Sequence, residues 1–232
     1  MKKYLRKGFC LLLICSLMAT MSGTVFATNS IKEDGGLTGP TQLFFEVCDN
    51  LFAKSSTYRV IDKNGKDVTS QFLNDYQDYY FSGNYQAIWN AIVNRSDTIS
   101  WENELPSPQL LMNGSASESF YKLGTTTEHM PGKSFEMLYT VSGTYKYHDG
   151  TGQISEYSNA VLNIESFNAG ALFSYEQFGT STNAKLAADK KSVTFSAEFS
   201  ITLCFNSLNL PGISWWEEDF GPYKGSVTGY TY

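Results

Sequence analysis

The sequence predicts a mainly β fold: an antiparallel β-sandwich or jelly-roll-like domain with one short helical insertion. Three observations carry this. Residues 192–205 alternate without a fault, with Val193, Phe195, Ala197, Phe199, Ile201, Leu203 and Phe205 on one face. Ser192, Thr194, Ser196, Glu198, Ser200, Thr202 and Cys204 take the other, as in an antiparallel strand with one face in a core. Residues 135–164 alternate on both sides of the turn sequence Asp149-Gly150-Thr151-Gly152, which reads as a long hairpin. Only the stretch around 70–95 changes to a helical period.

The chain opens with Lys2, Lys3, Arg6 and Lys7, continues with the apolar run Phe9–Met18, and reaches Val25-Phe26-Ala27. This order is that of a secretory signal peptide, residues 1–27, cleaved after Ala27. The apolar run is about half the roughly 20 residues a spanning helix needs, so no transmembrane anchor is expected. The short basic signal with a Lys- and Asn-rich chain points to a bacterial source. Residues 28–40 are small, polar and Gly-rich and read as a flexible leader, leaving 41–232 as a single β-rich domain.

Within that domain, Thr41, Leu43, Phe45 and Val47 alternate with Gln42, Phe44, Glu46 and Cys48, which predicts a first strand. Tyr58–Asp62 is a second. The Asn64-Gly65 that follows is a hairpin signal, because both residues tolerate a positive φ. Phe72, Leu73, Tyr76, Tyr79 and Tyr80 predict a helix over 70–80. Tyr85, Ile88, Trp89, Ile92 and Val93 form the stripe of an amphipathic helix over 84–94, with Asn84 or Ser82 as cap. Residues 96–133, rich in Ser, Thr, Asn, Gly and Pro, read as loops with a short strand or two. Residues 171–178 predict a further strand, and 179–191 a polar connection with a helical turn at Ala184–Ala188.

The chain has 232 residues, 17 basic against 23 acidic, for a net charge of −6. Loss of the signal removes four bases and no acid, leaving thirteen against twenty-three, a net −10. So acidic a chain is repelled by nucleic acid, which is therefore not an expected partner. An aromatic content of 15% supplies a core and argues against disorder. There are two histidines and no C-x-x-C, so no metal site or cofactor is indicated. Cys48 and Cys204 survive cleavage. In an exported chain they are expected to form one disulfide, joining strand 41–48 to strand 192–206 on a shared outer face.

The densest candidate site is Trp215, Trp216, Glu217, Glu218 and Asp219, held between Pro211-Gly212 and Gly221-Pro222 as a loop or short edge strand. Tryptophans beside carboxylates suit a sugar, and three acids suit Ca²⁺. The competing reading is one core Trp with solvated acids. Trp101-Glu102-Asn103-Glu104 has a similar composition. Glu217 and Glu218 are neighbours and point to opposite faces of a strand, so a glycosidase pair would need Glu102 or Glu104 as partner. No G-x-S-x-G occurs. No catalytic residue is assigned. The expected function is a secreted, extracellular binding or surface-interaction protein, its partner a glycan or a cell-surface protein. Two alternatives stand beside it: a β-barrel pore-forming toxin, since 135–148 and 192–205 are amphipathic strands, and a secreted hydrolase acting on glycans.

Overall fold

The computed structural model describes residues 37–53, 57–103, 113–127, 132–170, 173–205 and 217–231. The expected signal and residues 28–36 of the expected leader lie outside them. The described residues belong to one compact unit. Its elements are α1 (Gln42–Phe52), β1 (Tyr58–Ile61), α2 (Thr69–Phe81), α3 (Tyr85–Arg95), β2 (Thr98–Glu102), β3 (Asn113–Thr125), β4 (Ser134–Tyr147), β5 (Ile154–Tyr157), β6 (Val161–Asn168), β7 (Phe173–Leu186), β8 (Ser192–Phe205) and β9 (Glu217–Tyr230). All the pairings between these strands are antiparallel. One sheet runs β1-β2-β3-β4, with β4 paired to β6 through Glu136–Ser142 and to β5 through Tyr145–Tyr147. The second sheet is β7-β8-β9.

The alternation read in the sequence builds the sandwich. Phe135, Met137, Tyr139 and Val141 of β4 meet Val193, Phe195, Phe199 and Ile201 of β8 in one core. Close approach there requires Gly143, where a Cβ would lie 2.2 Å from the Phe195 ring. The opposite face of the larger sheet carries Val60, Ile99, Tyr121 and Leu123. It packs against Phe44, Val47, Leu51, Phe72, Ile88 and Trp89 of the three helices in a second core. The molecule is thus a β-sandwich with helices on the outer face of its larger sheet.

Residues 41–48 are not a strand. Phe44, Val47, Cys48 and Leu51 are the buried face of α1, and Thr41 caps it, its Oγ1 accepting from the Phe44 N–H at 3.1 Å. Over 41–48 apolar residues fall on both expected strand faces, and the spacing 44, 47, 48, 51 is that of a helix. The two predicted helices form, as α2 and α3, and Asn84 caps α3 by accepting from the Ala87 N–H. Gly65 turns at φ +82°, but the chain makes only one bridge, Ile61 to Asp67, before entering α2. At the end of the expected leader, Leu37 is buried and exchanges backbone hydrogen bonds with Ser134.

Two long strands replace expected loops. β3 crosses the middle of the larger sheet, buried on both faces although its sequence is Ser- and Gly-rich. The hydroxyls of Ser117 and Ser119 are satisfied by neighbours, whereas the buried Thr125 Oγ1 has no hydrogen-bond partner among the described residues. Asn103 Nδ2 donates to Ser119 Oγ at 2.9 Å, and Ser119 Oγ shares a 3.0 Å hydrogen bond with Thr140. β7 continues past Phe178 to Leu186 after a register shift at 178–181, where a polar connection and helical turn were expected. As an edge strand it turns most of its side chains to solvent, so polar residues are tolerated.

Cys48 and Cys204 are both free. Cys48 lies in the helical core, and Cys204 sits among Glu176, Glu217 and Asp219 on the outer face of the second sheet. Both sheets separate the two thiols. Stacked sheets lie about 10 Å apart, whereas a disulfide needs Cα atoms within about 7 Å. β8 pairs with β7 and β9, not with 41–48.

Candidate ligand groove

Strand alternation separates the acids that the sequence groups together. Trp215 and Trp216 lie outside the described residues, as does Glu104. Glu217 and Asp219 are exposed on the outer face of β9, where Asp219 Oδ1 accepts from Thr202 Oγ1 at 2.6 Å. Glu218 points inward and is buried. Its Oε1 accepts from both the N–H and the Oγ1 of Thr127, each at 2.9 Å. Glu218 therefore fastens β9 to the end of β3. Among the described residues no group of three His, Cys, Asp or Glu side chains is placed to hold a metal ion.

Trp101 and Glu102 also part. Trp101 turns toward the helices and stacks on Tyr58, with ring centroids 4.9 Å apart. Glu102 is paired in register with Glu118 and shares its face. That face leads to a site the sequence does not announce. Among the described residues the smaller sheet has three strands and ends at β9, and the inner face of β1 and β2 extends beyond it. β1 and β2 send Val60 and Ile99 to the helical core and present Arg59, Ser100 and Glu102 on the opposite face.

Two hollows follow one another along this seam. One, of about 620 Å³, is lined by Arg59, Ser100, Glu118 and residues 224–226 of β9, and extends over β9 to Ser196 and Glu198. The next, of about 360 Å³, is lined by Glu102, Asn103, residues 113–117 of β3, Tyr145, Tyr147 and residues 227–230 of β9. Their linings are consecutive on β2, β3 and β9, so they form one groove. Residues 224–230 at about 3.3 Å each give it a length of about 20 Å.

The charged half is internally paired. Arg59 Nη2 lies 2.8 Å from Glu118 Oε1 and 3.7 Å from Glu102 Oε1. Burial pushes the Glu118 carboxyl above its ordinary range, and the neighbouring guanidinium pulls it back. Lys224 Nζ pairs with Glu198 Oε2 at 3.0 Å on the exposed rim. The other half is uncharged except for Glu102. Tyr147 is half-buried, Tyr230 is 66% exposed, and Asn103 and Ser115 supply amide and hydroxyl groups, while Thr228 Oγ1 shares a 2.9 Å hydrogen bond with Thr194 Oγ1. The signal for this half lay in Trp101-Glu102-Asn103. For Arg59 it is only a charged residue between apolar ones in a short strand, and for Glu118 and Lys224 the sequence carries no signal. No family model, no curated protein and no solved structure matches the chain.

Proposed function

We propose that this is a secreted binding protein and that the groove along β9 takes an extended, hydroxyl-rich ligand of the glycan class. The observation that carries this is the groove's uncharged half. Tyr147 and Tyr230 line it beside Asn103, Ser115 and the Glu102 carboxylate, the mixture of apolar surface and polar groups that ligand sites use. The order of residues 1–27 supports export.

Binding is favoured over hydrolysis by the position of Arg59. A glycosidase holds its two carboxyl groups apart with the scissile bond between them. Here the guanidinium occupies the space between Glu102 and Glu118. For pore formation, the apolar faces of β4 and β8 would first have to leave each other in the sandwich core.

The test is a glycan array with protein recovered from culture medium, whose first residue is expected to be Thr28, followed by calorimetric titration of the best ligand. Glu102→Ala and Tyr230→Ala are expected to weaken that ligand about tenfold each, or about 1.4 kcal/mol, with no reducing sugar released. Absence of any glycan ligand, or wild-type affinity in both variants, overturns the reading.

A further inference from the structure

From the edge of the helical core, where Tyr80 and Tyr85 are half-buried, a connected set of aromatic side chains leads outward. Phe45 of α1 meets Tyr85 of α3 edge-on at 4.8 Å, Tyr85 lies 5.9 Å from Tyr80, and Tyr80 lies 5.5 Å from Phe81. The series runs outward to the surface. Phe81 is 78% exposed and Tyr79 44%, the pair closing the last turn of α2. Single exposed rings are ordinary, but a connected aromatic patch at the surface is not.

The charge around these rings has one sign. The three helices carry Glu46, Asp49, Asp75 and Asp78, with Arg95 as their one basic residue and no lysine. Asp49 reaches into the patch, its Oδ1 accepting from the Tyr85 hydroxyl at 2.8 Å. The chain also places a guanidinium on a neighbouring ring: Arg95 lies over Phe72, 5.7 Å from its centroid, and Phe72 is 4.7 Å from Tyr76.

We infer that the outer face of the helical layer docks a basic, arginine-bearing segment of a partner protein. Guanidinium groups stack on Tyr and Phe faces and bind carboxylates with two parallel hydrogen bonds, so one side-chain type satisfies both features of this surface. A second copy of the chain would set acids against acids. An anionic membrane is repelled for the same reason, and a neutral segment would bury the carboxylates without a counter-charge.

The probe is a fluorescein-labelled hexa-arginine peptide, titrated by anisotropy at low and physiological salt. Phe81→Ala with Tyr79→Ala removes exposed rings and should leave the melting midpoint near wild type while weakening binding about tenfold. Asp75→Asn with Asp78→Asn should weaken it similarly and flatten the salt dependence. Glu156→Gln with Glu176→Gln removes the same charge from the sheets and should change affinity less than about twofold. No peptide binding overturns the inference. So does full affinity after loss of the two rings, or an equal loss in the sheet-side control, which would mean attraction by net charge alone. A wild-type dimer in sedimentation that Phe81→Ala dissolves would identify a second copy as the occupant and overturn it too.

Discussion

Glu136 lies 3% exposed between the helices and the larger sheet, with hydrogen bonds in place of a counter-ion. Its Oε2 accepts from Thr41 Oγ1 at 2.7 Å and from the Tyr121 hydroxyl at 2.8 Å, and its Oε1 from Asn168 Nδ2 at 3.1 Å. Burial raises its carboxyl above the ordinary range, while the three donors pull it down. A carboxyl raised in the folded state binds its proton more tightly there than in the unfolded chain. Its contribution is therefore fully present below the unfolded value of about 4.5 and is lost as pH rises through the higher folded value. Glu136→Gln removes the titration. Its carbonyl keeps Thr41 and Tyr121 and only the Asn168 Nδ2 hydrogen bond is lost, since Asn168 Oδ1 is held by the Gly170 N–H. The expected result is that E136Q gains stability relative to wild type as pH rises from 4 to 8, read from urea midpoints at each pH. Parallel curves for the two proteins would assign the pH dependence elsewhere. No periodicity marks Glu136 as buried: on β4 it occupies the face that the sequence reads as polar, and that face is covered by helices.

At the scale of elements, legibility follows how much of a strand's neighbourhood is local. β8 and β4 are readable because one face of each meets the sandwich core, with complete alternation in β8 and alternation broken only at Leu138 and Gly143 in β4. α2 and α3 were readable because each carries its own apolar stripe and punctuation. β3 was not. Its Ser, Gly and Glu carry no strand pattern of their own, and beyond the buried Phe120, Tyr121 and Leu123 it depends on Asn103, Thr140 and Arg59 arriving from other elements to satisfy its polar groups. The contact between sheets is likewise set by a pair that no local pattern reveals, Gly143 on β4 and Phe195 on β8. A methyl group at 143 would sit inside van der Waals range of the ring, so Gly143→Ala is expected to cost about 1–3 kcal/mol by overpacking. Adding Phe195→Leu should return part of that loss, because the ring atoms facing Gly143 are removed. Urea denaturation of the single and double variants measures it. A double variant that loses the full sum of both single losses would mean the two residues do not share the contact.

Across the whole molecule, the layering decides two features: the groove follows from where β9 ends over the larger sheet, and the two cysteines are parted because a helix on the far side of that sheet carries Cys48. Neither follows from a local pattern. An even cysteine count in a chain expected to be exported argued for a bridge, and face assignment placed Cys204 correctly opposite the apolar face of β8. Cys48 departs from that expectation because a helix carries it into a different layer. Burial raises both thiols above the ordinary range, so neither is a ready nucleophile in the folded protein. Iodoacetamide is expected to add to neither cysteine in the native state and to both in denaturant, with no reductant present. Dithiothreitol should leave the melting midpoint unchanged, whereas a bridge closing so long a loop would contribute roughly 5 kcal/mol in the chain-entropy account. The two sites should also differ from each other. Cys48 is fully enclosed by apolar side chains of the helical core, so Cys48→Ser buries a hydroxyl there and should cost about 1–3 kcal/mol. Cys204 Sγ already lies 3.7 Å from the Thr202 carbonyl oxygen, next to exposed acids. A serine hydroxyl at that position can donate to the same carbonyl, so Cys204→Ser should be nearly neutral. Equal losses at the two positions, or a midpoint that falls on reduction, would show that the thiols share one environment and would restore the bridge.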